Sequence, residues 1–174
     1  MFERDVLRRL DGAGIEYFVT GSVALGAWAT FRQTNDVDLV VRLSNTEYEV
    51  RLRPAFEPAY LVNPLSVRGV KALGAVISVA EGMKADMILR RADPWGEAAF
   101  ARRVQVDDPA FGRVWVCSPE DLVIAKLEFS EGGRSDRQMS DCRILVNARP
   151  DLDWEYLEGN ADALGLGDLL ASLR

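Results

Sequence analysis

A chain of 174 residues, 48% hydrophobic and 28% charged, has the size and make-up of one globular domain, or of one domain with a small appendage. Its formal charge of −6, from 27 acidic against 21 basic residues, argues against a protein that coats duplex DNA, although a local basic patch can still meet nucleic acid. Histidine is absent, which excludes Ser-His-Asp and Cys-His catalysis, HExxH metallopeptidases and His-ligated zinc or haem. Chemistry must then run on carboxylates, Lys, Arg, Ser, Thr, Tyr, Cys, backbone dipoles or an oxygen-ligated metal. Cys117 and Cys142 form no CxxC pair and are expected as buried, reduced thiols. Residues 1–10 are charged and amphipathic, without the apolar centre of a signal peptide. No apolar run approaches the ~18 residues of a membrane span, so a cytoplasmic protein without a membrane partner is expected.

Val6, Leu7 and Leu10 recur at helical spacing, and Gly12 and Gly14 stop that first helix. Residues 17–20 read as a short buried strand. Gly21 and Ser22 follow, and residues 23–30 read as a helix with Ser22 at its N-cap. A polar loop carrying Arg32 and Thr34 leads into a strand over 36–42, and Ser44 or Asn45 opens a weaker helix through Leu52. Residues 54–66 hold Pro54, Pro58 and Pro64 and read as loop. Residues 76–79 and 84–89 flank a Glu81-Gly82 turn, the pattern of a hairpin. A short helix from Pro94 to about Arg102 and strands near 104–106 and 114–116 complete an α/β core over residues 1–117. Ser118, Pro119, Glu120 and Asp121 supply a cap, a first-turn proline and two acids, so a helical part over 118–174 begins there. Its first helix ends at Gly132-Gly133 and the next runs from Asp136 to about Asn147. The pattern predicts a mixed α+β fold: a sheet of about five strands with flanking helices, and a helical C-terminal part packed on it as one unit.

The chemistry concentrates in a few places. Asp36 and Asp38 lie two apart on a strand, so both carboxylates point to the same face, with Cα atoms roughly 6.6 Å apart. Like charges that close repel unless a cation or solvent lies between them. Upstream, a strand, a glycine and a helix N-terminus form a place where backbone N–H groups and the Ser22 hydroxyl can meet a phosphate. Asp86 stands between apolar neighbours on a later strand, on one face with Lys84 and Ile88, and is costly to bury unless paired or metal-bound. A phosphate cradle facing three carboxylates is the minimum equipment for phosphoryl or nucleotidyl transfer, with Asp86 able to act as base to the attacking hydroxyl.

These residues resemble the polymerase-β-type nucleotidyltransferase superfamily, whose signature is Gly-Ser, then Asp-x-Asp, then a third Asp. Here it reads Gly21-Ser22, Arg32-x-Thr34-x-Asp36-x-Asp38 and Asp86. Within it, the chain is similar to the small bacterial AbiEii-like group of toxin–antitoxin systems. That group has a Pro-Glu-Asp-Leu helix carrying a lysine, then a helix of Arg/Lys-Asp-x-x-Asp type. Here these are Pro119-Glu120-Asp121-Leu122 with Lys126, and Arg137 with Asp141; Gln138 replaces an acid. The resemblance implies Asp36, Asp38 and Asp86 as ligands of Mg²⁺ or Mn²⁺, Gly21, Ser22 and Thr34 at the nucleotide, and Lys126 facing the phosphates. Arg32 and Thr34 order the loop into Asp36.

The implied reaction moves an NMP from an NTP to a hydroxyl of RNA or protein, with an antitoxin as a possible partner. A small-molecule acceptor of aminoglycoside type, or an idle nucleotide- or partner-binding module, are the alternatives. RNA would need Arg51, Arg53, Arg68, Lys71, Arg90 and Arg91 to gather on one rim of the cleft. Lys126→Ala is expected to lower transfer and leave folding intact.

Overall fold

The computed structural model describes residues 1–31, 34 and 36–174. Its strands are β1 (Tyr17–Val19), β2 (Asp36–Val41), β3 (Leu61–Val62), β4 (Ser66–Arg68), β5 (Lys71–Ser78), β6 (Met83–Leu89), β7 (Val104–Asp108) and β8 (Gly112–Val116). They form one mixed sheet in the order β3-β5-β6-β2-β1-β8-β7, with β4 also paired to β5. Two hairpins, β5–β6 and β7–β8, flank the central strands, where β2 runs antiparallel to β1 and parallel to β6. Strand alternation divides β2 cleanly. Val37, Leu39 and Val41 are buried on one face, which leaves Asp36, Asp38 and Val40 to the other.

The helices are α1 (Phe2–Gly12), α2 (Gly21–Trp28), α3 (Asn45–Glu47), α4 (Arg53–Phe56), α5 (Pro94–Arg102), α6 (Pro119–Glu128), α7 (Asp136–Ala148), α8 (Trp154–Ala163) and α9 (Gly167–Ala171). Ser118 caps α6 by accepting from the Asp121 N–H, and Ser135 caps α7 in the same way at Gln138. α6 packs against α2, α7 and α8. Leu122, Val123, Ile124 and Leu127 are fully buried, which makes α6 the central helix of the C-terminal part. Among the described residues, no helix is long and apolar enough to cross a membrane.

Three expectations need correcting. Among the described residues the sheet has eight strands, not about five, because the stretch read as loop over residues 54–66 holds the short β3 and runs into the short β4. Both pair with the outer strand β5, and the side chains of β4 are all exposed, so no apolar alternation marks them. The helix expected to stop at Leu52 continues to Phe56. Ser44 and Glu47 form a capping box, Tyr48–Leu52 makes a single π turn, and α4 starts afresh. Pro54 then lies in the first turn of α4, where no N–H is needed, and Tyr48, Leu52 and Phe56 make one buried stripe. Lastly, Ser22 is not the cap of α2. Thr20 holds that position, and Ser22 is buried inside the first turn.

Candidate active site

Strand β1 delivers the chain to Gly21 with φ +63°, a left-handed conformation in which a side chain is strained. The adjacent β2 supplies the second reason for glycine. A Cβ at position 21 would lie 1.9 Å from Asp38 Oδ2. Asp38 therefore fills the space a side chain at Gly21 would need, and the strand–helix turn and the Asp-x-Asp strand form a single unit. Thr20 reinforces it by donating its N–H to the Asp38 carbonyl at 2.9 Å. The Thr20 side chain makes no capping hydrogen bond, so the first turn of α2 is not sealed by its own cap.

The parallel register of β2 and β6 sets Asp38 opposite Asp86 and Asp36 opposite Lys84. All four side chains thus project from one face. Asp36 is exposed at the strand mouth, where the Thr34 hydroxyl accepts from the Asp36 N–H at 3.2 Å and donates to the Asp36 carbonyl at 3.0 Å. Thr34 thus contacts the Asp36 backbone; Arg32, the other residue expected to order this loop, lies outside the described residues. Lys84 Nζ stands 2.9 Å from Asp86 Oδ2 and 3.9 Å from Asp36 Oδ2. Its pKa is raised, first by the Asp86 hydrogen bond and then by the charges of Asp86, Asp36 and Asp38 against burial. Asp38 has the opposite problem. Burial first, then the Asp86 charge, push its carboxyl above the ordinary carboxylate value, with Asp36 adding to the rise and Lys126 and Lys84 offsetting part of it.

A cleft of about 300 Å³ opens from this face and runs between the sheet, α5 and α6. Thr20, Gly21, Ser22, Thr34, Asp36, Asp38, Lys126 and Asp141 all line it. Asp86 does not belong to that wall, being turned to Lys84. As the side chains stand, no three His, Cys, Asp or Glu residues among the described ones enclose a metal position. The donor set nonetheless suits a hard cation: three carboxylates, no nitrogen or sulfur ligand, and a half-buried Asp38 that accepts no hydrogen bond from the described residues.

Lys126 is neither a surface lysine nor a loose one. It donates to Asp141 Oδ2 at 2.7 Å and to Gln138 Oε1 at 3.4 Å, with the Lys126 and Asp141 side chains 6% and 4% exposed. Gln138, standing where an acid was anticipated, thus serves the same ammonium. The burial overturns one expectation: Lys126→Ala removes an internal ion pair and cannot leave folding untouched. Arg137, one turn before Asp141, donates to Ser22 Oγ at 3.4 Å and so joins α7 to the first turn of α2.

Several residues of the cleft were not singled out by sequence. Trp95 forms part of its far wall, and its Nε1–H donates to Asp121 at 2.9 Å. Asp121 also accepts from Tyr156 Oη and Ser118 Oγ, both at 2.7 Å. Burial raises the Asp121 pKa, and these three donors together with Arg102 pull it back. Arg91, which the sequence offered only for an RNA rim, pairs with Glu128 and with Asp93 at 2.6 Å, across the same end of the cleft. Phe18, Val40, Leu89, Ala99 and Leu122 make the remainder apolar.

No family model matches the sequence, and comparison with curated proteins finds no relative. The structure is similar to the antibiotic-resistance factor ANT(2'')-Ia in solution, with a TM-score of 0.62 at 16% identity over 97% of this chain and 91% of that one. The complex of ANT(2'')-Ia with adenylyl-2''-tobramycin matches at 0.56 and 16% identity, over 91% and 92%. An antigenic nucleotidyltransferase-like protein from Paracoccidioides brasiliensis matches at 0.55 and 18% identity, over 98% and 89%. These likenesses establish the nucleotidyltransferase-like α+β fold, without singling out the AbiEii-like group.

Proposed function

We propose that the protein is a metal-dependent nucleotidyltransferase that moves an NMP from an NTP to an acceptor hydroxyl. The observation that carries this reading is the interlock of Gly21 with Asp38, which sets a helix N-terminus and an Asp-x-Asp strand at one cleft mouth. Asp36, Asp38 and Asp86 would hold Mg²⁺ or Mn²⁺. When bound, the cation supplies charge neutralisation to the triphosphate and a lowered pKa to the attacking hydroxyl. Gly21 carries no side chain of its own beside the first turn of α2, and Ser22 and Arg137 add a hydroxyl and a guanidinium to that end. Lys126 contributes a fixed positive charge that Asp38 already feels. Asp86 is the carboxylate able to take the acceptor's proton, once released from Lys84.

For the acceptor, a small molecule is the reading we favour. Of the six basic residues that an RNA rim requires, Arg68 is exposed on β4, Arg51 is spent on Glu47 and the Ala13 and Gly14 carbonyls, and Arg53 on Glu49, Glu57 and the Val62 carbonyl. Lys71, Arg90 and Arg91 approach one end of the cleft, and each is engaged there, on the Glu128 carbonyl, Glu97, and Asp93 with Glu128. A compact cleft with an aromatic and apolar end fits a small polyfunctional ligand. The tobramycin adduct of ANT(2'')-Ia gives that acceptor class a precedent on this fold. A macromolecular acceptor, and with it a toxin–antitoxin role and an antitoxin partner, is the second reading. It is supported by Lys126 and Asp141, which the AbiEii-like resemblance implies and which meet at 2.7 Å.

The test is transfer of α-³²P label from each NTP, with Mg²⁺ or Mn²⁺, to an aminoglycoside panel, total RNA or protein extract. Label on a small molecule, lost in Asp38→Asn, supports the favoured reading; label on RNA or protein selects the second. Transfer that persists in Asp38→Asn would overturn the proposed site.

A further inference from the structure

We infer that Lys84 is the resident counter-cation of the carboxylate site, held where it must be displaced before a divalent metal can bind. This rests on the proposed function and adds to it an order of events: metal alone binds weakly, and metal with a triphosphate binds well. Repulsion among Asp36, Asp38 and Asp86 requires either water or a cation; Lys126 offsets part of it at Asp38, and Lys84 is the cation placed directly against Asp86 and Asp36. The same strand register that sets Asp38 opposite Asp86 sets Lys84 opposite Asp36. Two residues before Asp86 on β6, Lys84 projects from the same face, and its ammonium lies between Asp86 at 2.9 Å and Asp36 at 3.9 Å.

Among the described residues, other cations near the cleft are engaged elsewhere: Lys126 with Asp141, Arg91 with Asp93 and Glu128, Arg90 with Glu97, and the exposed Arg137 with Ser22 Oγ. Lys84 is paired with the carboxylates themselves, its side chain is 38% exposed on a flexible four-carbon stem, and it can leave Asp86 without opening the core. An arriving metal ion must compete with this ammonium for Asp86 and Asp36. A triphosphate changes the balance, because its anionic oxygens give the displaced ammonium a new partner. A merely structural cross-strand pair predicts otherwise: losing Lys84 would weaken folding and leave metal affinity where it was.

The experiment titrates the full-length protein with Mn²⁺ by calorimetry, without nucleotide and then with a non-hydrolysable NTP analogue. Lys84→Gln should bind Mn²⁺ alone about tenfold more tightly than wild type, a factor equal to ~1.4 kcal/mol. Lys84→Arg, which keeps the charge, should remain at wild-type affinity. With the analogue present, the gap between wild type and Lys84→Gln should shrink. Lys84→Met retains the stem and substitutes for Lys84→Gln if that variant fails to fold. Equal Mn²⁺ affinity in wild type and Lys84→Gln, abolished by Asp38→Asn, overturns this inference while the transfer reading stands. Absence of Mn²⁺ binding from every variant, even with the analogue, overturns both.

Discussion

The pair between Lys126 and Asp141 offers the sharpest test of how α6 and α7 are joined beside the cleft. With 2.7 Å between charged atoms and side chains 6% and 4% exposed, it belongs with interior ion pairs and not with surface ones. Removing one partner of such a pair costs about 3–5 kcal/mol, a large part of the roughly 5–15 kcal/mol that stabilises a typical domain. Lys126→Met keeps most of the stem and takes away only the ammonium, while Asp141→Asn keeps the shape and takes away the carboxylate charge. Each should lose about 3–5 kcal/mol in urea unfolding followed by circular dichroism, with m-values unchanged. The double variant should lose clearly less than the sum of the two, since neither is left facing the other's charge. Single-variant losses below about 1 kcal/mol, the scale of an exposed pair, would refute the interior assignment.

Gly21→Ala places a Cβ 1.9 Å from Asp38 Oδ2 in a left-handed backbone, and should cost at least about 1–2 kcal/mol from the backbone alone together with loss of transfer; unaltered thermal unfolding and activity would contradict the interlock. Asp38→Asn should raise apo stability at neutral pH. The folded-state pKa of Asp38 is raised, so folding takes up a proton, and the ionised group weakens the fold as pH climbs past its unfolded value toward the raised one. Wild-type and Asp38→Asn melting temperatures should therefore converge as the pH is lowered toward 4, and a gap that widens on acidification would reverse the sign of this reasoning. Tyr156→Phe removes a 2.7 Å hydrogen bond to the buried Asp121 and should cost about 1.5–3 kcal/mol by urea titration; a change within 0–0.5 kcal/mol would show that Trp95, Ser118 and Arg102 suffice.

What could be seen in the sequence was whatever local rules decide. Period-two alternation placed Asp36 and Asp38 on one face, and Ser118-Pro119-Glu120-Asp121 announced α6, because pleat geometry and capping act within a few residues. The role of Lys84 was not visible, although its shared face with Asp86 was. Its position beside Asp36 follows from the parallel pairing of β2 with β6, and the residues between those strands carry no local signal of that register. Asp141 was marked in the sequence only by its place in the motif with Arg137, which does not name its partner. Its burial against Lys126 is set by how α6 and α7 pack, a property of two helices together. Trp95 and Tyr156 share Asp121 from α5 and α8, and neither helix shows that partnership by itself.

Cys117 connects the parts of the site in one further way. Its N–H donates to the Val19 carbonyl at 3.0 Å, its carbonyl accepts from Trp28 Nε1 at 2.8 Å, and its thiol, 1% exposed, lies 3.6 Å from Thr20 Oγ1. Burial pushes the thiol up to about 12, so at neutral pH it is protonated and inert while the cleft wall is closed. An alkylating reagent can reach this sulfur only when the packing around it, its contact with Thr20 included, opens. The rate of thiol labelling is therefore a clock for that opening, read from a native cysteine. Cys142, buried between α6 and α7 with its sulfur 3.8 Å from the Val123 carbonyl, keeps separate time for the helical side. Ligands that fasten the Gly21 end of the cleft should slow the first clock and leave the second running.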